Sequence, residues 1–479
     1  MKIYAHYKEI SGDTHTPVSL YLQLRDKYAQ PALLESTDYH ASQNSLSFIG
    51  LDPLITCKVE DHCLDIFSKN DHWLNLPLRT KDLAPALQNF MDEIEIEYEI
   101  TPRKQFSGFF GYTSFNAIPL AEDIEFSAKP GIEIPAVLYF FYKNLIVFNH
   151  FNDTIYLLTH DFMPFDAALS MEQLQANIQT RQWSGHAFYE FAEEHTTETE
   201  SRFLEMVEIA QKHIRRGNVF QLVLSRAFSR SFEGDEFEVY RKLRQVNPSP
   251  YLFYFDFGNF KVFGSSPEAQ LVIQKRVAEI HPIAGTFPRS GDDTADLLRA
   301  EALKQDAKES AEHFMLVDLA RNDLYRHCTE VKVETLKEVQ FFSHLIHLVS
   351  KVTGKLQPDA IPFQVMLDTF PAGTLSGAPK YRALQLIDEL ESSSRAFYGG
   401  AIGYLGLDGS INHAIMIRTL LSKDNVLHFR AGAGIVDASV PQKELEEVGL
   451  KLNALRKAIS LASAKEANNS IHNKSKSLV

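Results

Sequence analysis

Cysteine is scarce. Three occur in 479 residues, at Cys57, Cys63 and Cys328. An odd, sparse set builds no disulfide framework, and none sits in a CxxC pair, so a reducing compartment is expected. Surplus positive charge is also missing. Lys and Arg number 48 against 62 Asp and Glu, a net charge of −14. That balance disfavours nucleic acid and anionic membrane, both of which need basic surface. An anionic ligand would need locally placed Arg, Lys, backbone N–H groups or a metal ion. Long apolar runs are absent too. The most apolar stretch, 136–148, is broken by Lys143 and Asn144 and reads as a buried strand, not a membrane span. The start, Met-Lys-Ile-Tyr-Ala-His-Tyr-Lys, has no signal-peptide apolar region. A soluble cytoplasmic protein is the expectation.

The rest is ordinary globular composition, 44% hydrophobic and 23% charged, enough for two or three average domains or one large one. Thr16 and Pro17 open a short helix, and 32–36 and 45–50 read as strands. Residues 109–112 and 136–142 are β-rich, and 145–148 with 154–159 look like a hairpin. Residues 163–200 lose apolar periodicity. The chain therefore divides into an N-terminal region 1–165, a linker 166–200 and a C-terminal domain 201–461. Thr197 and Glu200 have capping-box spacing before a helix that carries Phe203, Val207, Ala210 and Ile214 and stops at Gly217. The tail, 462–479, is rich in Ser, Asn and Lys without period and reads as disordered.

Several polar residues stand out. Gln221 lies in an alternating strand, on the face opposite Phe220, Leu222 and Leu224. Glu268 follows Gly264-Ser-Ser-Pro after a strand. His347 sits in the otherwise apolar run Leu345-Ile-His-Leu-Val349. Residues 294–326 read as one long helix or two, with Glu309 and Glu312 on one face. Glu444 and Glu447 repeat the spacing beside the apolar stripe Leu445, Val448, Leu452, Leu455 and Ile459. Two facing carboxylate pairs repel unless a cation lies between them, and Mg²⁺ prefers such hard oxygen ligands. The spacing alone equally fits solvated helix faces. The small-residue stretch Thr369-Phe-Pro-Ala-Gly-Thr-Leu-Ser-Gly-Ala-Pro-Lys380 feeds a helix whose stripe is Leu384, Ile387 and Leu390. Thr374 or Ser376 could cap that helix, whose start could attract an anion, or the loop could simply pack beneath it.

This stretch occurs with His281-Pro-Ile-Ala-Gly-Thr-Phe-Pro-Arg289, Gly399-Gly-Ala-Ile-Gly-Tyr404, Ile415-Met-Ile-Arg-Thr419 and Ala431-Gly-Ala-Gly-Ile-Val436. Together these resemble the chorismate-utilising enzymes, and among them most of all the anthranilate synthase large subunits. The resemblance implies an α+β fold of large antiparallel sheets packed as a sandwich with flanking helices. It implies amination of chorismate, with ammonia from a partner glutamine amidotransferase in a hetero-oligomer; this chain has no Gly-x-Cys-x-Gly motif of its own. By the same resemblance, Glu268 is the general acid, His347 a proton-transfer candidate, and Gly285 and Thr286 lie near the ring. Tyr404 and Arg418 would bind the enolpyruvyl carboxylate, and Gly432, Ala433 and Gly434 would offer backbone N–H groups. Glu312 and Glu447 would hold Mg²⁺, supported by Glu309 and Glu444. Glu35, Ser36, Pro250, Tyr251 and Leu252 would form a tryptophan feedback site, with Leu252 where relatives often carry Met.

Two positions bear on the reaction. Relatives that add water carry a lysine at the place of Gln221, and an amide cannot serve as a general base. Aminodeoxychorismate synthases often carry a nucleophilic lysine at the place of Ala284, which offers no nucleophile. Phe287 replaces a frequent arginine. The expectation is therefore 2-amination. An aminodeoxychorismate synthase or a non-catalytic tryptophan-sensing subunit is the alternative.

Overall fold

The computed structural model describes the chain apart from residues 37–44, 103–104, 184, 290–291, 342–344 and 477–479; for 284–288, 293, 307–308, 345 and 464–476 it describes backbone alone. A long antiparallel ladder joins Leu46–Glu60 to Val137–Asn149. Both strands are dense in β-branched and aromatic residues, which suit a pleated, packed surface. Their register slips between Pro53 and Ile55, where proline has no N–H to give the ladder.

Two antiparallel wings grow from this root. One runs from Val137–Asn149 through Gly108–Thr113, Ala401–Gly406, Ile411–Ile415, Ala269–Gln274 and Val277–Ile280 to Leu345–Leu356. The other runs from Leu46–Glu60 through Ala32–Glu35, Tyr251–Asp256, Lys261–Ser266, Thr419–Lys423 and Val426–Ile435 to Gln221–Gly234. Side chains from both wings meet in one aromatic core, including Phe110, Phe140, Phe253, Phe257, Ile402 and Leu421. Helices cover the outside. Pro441–Lys476 packs on Glu200–Arg215, Phe237–Val246 and the strand Val426–Ile435, burying Leu445, Val448, Leu452, Leu455 and Ile459. The α+β expectation is met, with the strands of both halves woven into one sheet system.

Some local expectations fail for physical reasons. Within 166–200, expected as a linker, lies most of the helix Pro164–Gln179, which buries Ala167, Met171, Leu174 and Ile178. Its moderate polarity hid the stripe. The cap of the helix Glu200–Arg215 is Thr199, whose side chain accepts from Arg202 N, while the Thr197 hydroxyl is spent on Glu198. The tail continues the last helix to Lys476, since each added residue of a formed helix gains a bond without a new nucleus. Of the two readings open for 294–326, the second holds: the helices are Asp293–Gln305 and Ala307–Tyr325, and Asp306 caps the second through Glu309 N.

Candidate active site

Glu268 lies between the strands Lys261–Ser266 and Ala269–Gln274, beside a register irregularity at Ala269. Its backbone carbonyl accepts from Ile415 N at 3.0 Å, which fixes the turn. The side chain is 8% exposed. Burial pushes its pKa up to about 8, against the opposing pull of the Thr374 hydroxyl, Lys451 and Arg418. Thr374 Oγ1 donates to Glu268 Oε1 at 3.0 Å. A carboxyl in this state keeps its proton near neutral pH and can give it up in a reaction. Beside it is a small cavity of about 30 Å³, bordered by Leu316, Leu319 and Asp323 of the helix Ala307–Tyr325.

The loop that brings Thr374 here is packed tightly on two sides. A Cβ on Gly373 would lie 2.1 Å from Leu319 Cδ2, and one on Gly377 2.2 Å from the Gln221 carbonyl. The small residues therefore serve close packing. Gly377–Ala378 pairs with Gln221–Leu222, and Val223 N donates to the Ser376 carbonyl at 2.9 Å. The helix Lys380–Leu390 has no side-chain cap, contrary to the reading of Thr374 or Ser376 as its cap. Thr374 serves Glu268 instead, and Ser376 Oγ donates to the Ala372 carbonyl. Lys380 bonds Asp323 and the Thr369 carbonyl, each at 3.1 Å.

Gln221 is buried at 3% exposure, so it is no surface polar residue. Its Nε2 donates to Glu312 Oε1 at 3.0 Å, and its Oε1 is buried without a hydrogen-bond partner among the described residues. The strand passes close opposite: a Cβ on Gly434 would lie 2.7 Å from Gln221 Nε2, so a side chain there would have to displace the amide. Two residues back, the Gly432 carbonyl accepts from Lys451 Nζ at 2.8 Å, and the same ammonium pairs with Glu447 Oε1 at 2.7 Å. Glu312 beside Gly434, and Glu447 through Lys451 at Gly432, are thus linked to neighbouring positions of one strand although 135 positions apart in the sequence. Glu309 is half-buried and Glu444 buried. Among the described residues no three acidic, imidazole or thiol side chains already converge on an ion position. The donor set is nevertheless carboxylate oxygen, which suits a hard divalent cation.

Arg418 takes φ +49°, outside the usual range for its type. Its Nη1 donates to Asn247 Oδ1 at 3.3 Å, and its carbonyl accepts from Ser265 N at 3.1 Å. Burial lowers its pKa, and the nearby Glu268 raises it. Tyr404 lies in the aromatic core, stacked on Phe48 at 5.9 Å, its hydroxyl donating to the Ser107 carbonyl at 3.3 Å. None of its described contacts is shared with Arg418. His347 is buried, and its backbone is paired with Thr286 and Gln340. Ala433 faces the apolar core. The side chains of Ala284, Thr286 and Phe287 lie outside the described ones, so only the strand Ile283–Pro288 that carries them and Gly285 is placed.

A family model described as chorismate binding enzyme matches residues 55–457. The chain belongs to the chorismate-binding enzymes. Anthranilate synthase component 1 of Lactococcus lactis is 36% identical over 462 residues, covering 94% of this chain and 98% of that protein. Its counterpart from Bacillus subtilis is 36% identical over 476 residues, covering 94% and 91%. The crystal structure of anthranilate synthase component I from Streptococcus pneumoniae superposes with TM-score 0.74 at 31% identity, covering 93% of this chain and 98% of that one. The menaquinone-specific isochorismate synthase of Escherichia coli shares the fold, with TM-score 0.73 at 19% identity and coverage of 95% and 94%.

In this chorismate-binding enzyme the remaining candidates form a second cluster. Glu35 pairs across the sheet with Leu252, although 217 positions separate them. The Glu35 carboxylate is 5% exposed and is held by Tyr240 Oη at 2.7 Å and Arg244 Nη2 at 2.9 Å. Ser36, Pro250 and Tyr251 flank the pair and are half-buried. Sequence reasoning missed three participants. Thr374 lay inside a recognised motif but was assigned to a cap. Lys451 follows Glu447 by four residues, a spacing that signals a helical ion pair. Asn247 gave no signal; its Nδ2 donates to Ser265 Oγ at 3.0 Å while its Oδ1 takes Arg418.

A separate cleft lies elsewhere. It holds about 720 Å³ and is lined by Arg79, Phe115, Phe126, Lys129 and Asp388, with Glu391 and Arg395 also on its wall. No helix among the described residues is long and apolar enough to cross a membrane.

Proposed function

We propose that this chain is the large subunit of an anthranilate synthase. It aminates chorismate at C2 with loss of the C4 hydroxyl, then eliminates pyruvate to leave anthranilate. The observation that carries this reading is Glu268. It is a buried carboxyl that holds its proton near neutrality next to a hydroxyl donor and an arginine. Loss of hydroxide from C4 needs such an acid, because hydroxide is a poor leaving group.

The other residues fall into roles around it. Arg418 binds the enolpyruvyl carboxylate in a two-pronged contact, with Tyr404 as its proposed partner. Gly432, Ala433 and Gly434 line the ring site with backbone groups, and Gly285 and Thr286 lie near the ring. Gln221 cannot take a proton from water, so the nucleophile must be reactive without being deprotonated first, as ammonia is. His347 moves a proton in the elimination of pyruvate. Glu312 and Glu447, with Glu309 and Glu444 behind them, would hold Mg²⁺, which when bound supplies a counter-charge for the ring carboxylate. Lys451 neutralises Glu447 and stands ready to meet the same carboxylate. Relatives named as component 1 support a second subunit, which we take to be a glutamine amidotransferase that delivers ammonia. Glu35, Ser36, Pro250, Tyr251 and Leu252 are the proposed site for inhibitory tryptophan.

The test is incubation with chorismate, ammonia and Mg²⁺, following anthranilate fluorescence with and without tryptophan. Anthranilate that depends on Mg²⁺ and falls with tryptophan is expected. A 4-amino product would assign an aminodeoxychorismate synthase, and tryptophan binding without turnover a sensing subunit. Either result overturns the reading.

A further inference from the structure

The segment that follows the helix Lys380–Leu390 returns to the loop from which that helix departs. Arg395 makes the return contact. Its side chain is 1% exposed. Nη1 donates to the Leu375 carbonyl at 2.6 Å and Nη2 to the Val223 carbonyl at 2.8 Å. The same guanidinium holds Glu391 through Nε at 2.9 Å and Nη2 at 2.7 Å. Glu391 in turn accepts from Ser225 N at 2.9 Å and Ser225 Oγ at 2.7 Å. The Phe115 ring lies 4.8 Å from the guanidinium.

The two carbonyls belong to opposite parts of the site. Leu375 follows Thr374, the donor to Glu268. Val223 lies two residues beyond Gln221, the donor to Glu312, on the same face of its strand. We propose that Arg395 is the positioning residue of the active site: one buried guanidinium sets the spacing between the loop that serves the proton-donating carboxyl and the strand that serves Glu312. A planar fork with fixed N–H directions can hold two carbonyls and a carboxylate in one geometry, which a lysine ammonium on a flexible stem does not reproduce. The alternative is that the pair only fills its own buried hole. The placement of both carbonyls argues against that, since each belongs to a residue within two positions of a site side chain.

This inference rests on the proposed role of Glu268, so its test must read Glu268 without turnover. The carboxyl stretch of protonated Glu268 is followed by infrared difference titration of the whole chain, with Glu268→Gln identifying the band. The charges that face Glu268 are Arg418, Lys451 and, across the small cavity, Asp323 with its partner Lys380; the variants leave all of them in place. Thr374→Val removes a donor to the ionised form, so the midpoint is expected to rise by about one unit. Arg395→Lys is expected to raise it in the same direction. The double variant should add less than the sum of the two single shifts. With chorismate and ammonia, Arg395→Lys should lower kcat at least about tenfold with KM changed less than about threefold. Should Arg395→Lys fail to fold, Phe115→Leu loosens the guanidinium and should give a smaller rise of the same sign. An unchanged midpoint in the folded variant overturns the inference. Absence of anthranilate from the unsubstituted chain overturns instead the proposed function, and the two failures are read in different samples.

Discussion

Glu268 and Glu391 are both buried glutamates, at 8% and 3% exposure, and they hold their protons in opposite ways. Glu268 has one hydroxyl donor, with its cations more distant, and burial dominates. Glu391 is gripped by Arg395, by Arg430 Nη2 at 3.4 Å and by Ser225, and these hold its pKa below the ordinary carboxylate range despite total burial. Depth alone does not decide whether a carboxyl is an acid or an anion; the donors within reach do. The first glutamate can give up a proton during a reaction. The second is permanently charged and works as structure.

Experiments can break or sharpen this contrast. The largest effect is expected from Glu268→Gln, which keeps shape and removes the proton donor: chorismate amination should fall about 10³-fold, measured by anthranilate fluorescence. Arg395→Met leaves Glu391 and Arg430 to find each other alone. Stability in urea unfolding should drop by about 3 kcal/mol, since the buried carboxylate loses its two closest charge-assisted contacts and the Leu375 and Val223 carbonyls lose their donor. Glu268→Gln also tests the contrast through stability. The pKa of Glu268 is raised from 4.5 to about 8 on folding, so its favourable contribution is complete below pH 4.5 and is lost as pH rises towards 8. The variant should therefore gain on the unsubstituted chain between pH 5 and pH 9, by at most about 5 kcal/mol, and thermal melts across that range would show it. A flat difference would mean that Glu268 is ionised like Glu391. Glu447→Gln should raise the Mg²⁺ concentration needed for half-maximal rate by at least about tenfold; an unchanged requirement removes Glu447 from the metal proposal. The smallest effect is expected from Glu35→Gln, which weakens the contacts with Arg244 and Tyr240. Inhibition by tryptophan should relax by roughly tenfold, read from the dose–response curve.

Periodic features were legible in the sequence. The stripe from Leu445 to Ile459 follows directly from spacing, whereas 294–326 could be read as one helix or two until the structure placed the break at Asp306. The gathering of Gln221, Glu312, Glu447 and the Gly432–Gly434 segment was legible only through motif order, because nothing local links residues more than ninety positions apart. What failed were assignments of single hydroxyls. Thr374, Ser376 and Thr197 each sit where a cap would be chemically reasonable, but a hydroxyl donates wherever tertiary structure offers the better acceptor. Glu268 satisfied Thr374, the Ala372 carbonyl satisfied Ser376, and Glu198 satisfied Thr197. The protonation contrast was legible in half. An acid was expected at Glu268, whereas Glu391 drew no notice: its i,i+4 partner Arg395 reads as an ordinary helical ion pair, and its other partners Ser225 and Arg430 lie far away in the sequence.

The sheet pairing has a mechanical consequence. Glu35 stands opposite Leu252, Leu252 opposite Ser265, and Ser265 N bonds the carbonyl of Arg418. One transverse row of backbone thus connects the carboxylate of the proposed inhibitor pocket to the arginine proposed for the substrate, over three strand spacings or roughly 15 Å. A ligand seated at the first of these positions would act on a backbone row that runs without interruption to the last. Inhibition in this architecture would need no hinge and no domain swing, only a small shift handed from strand to strand.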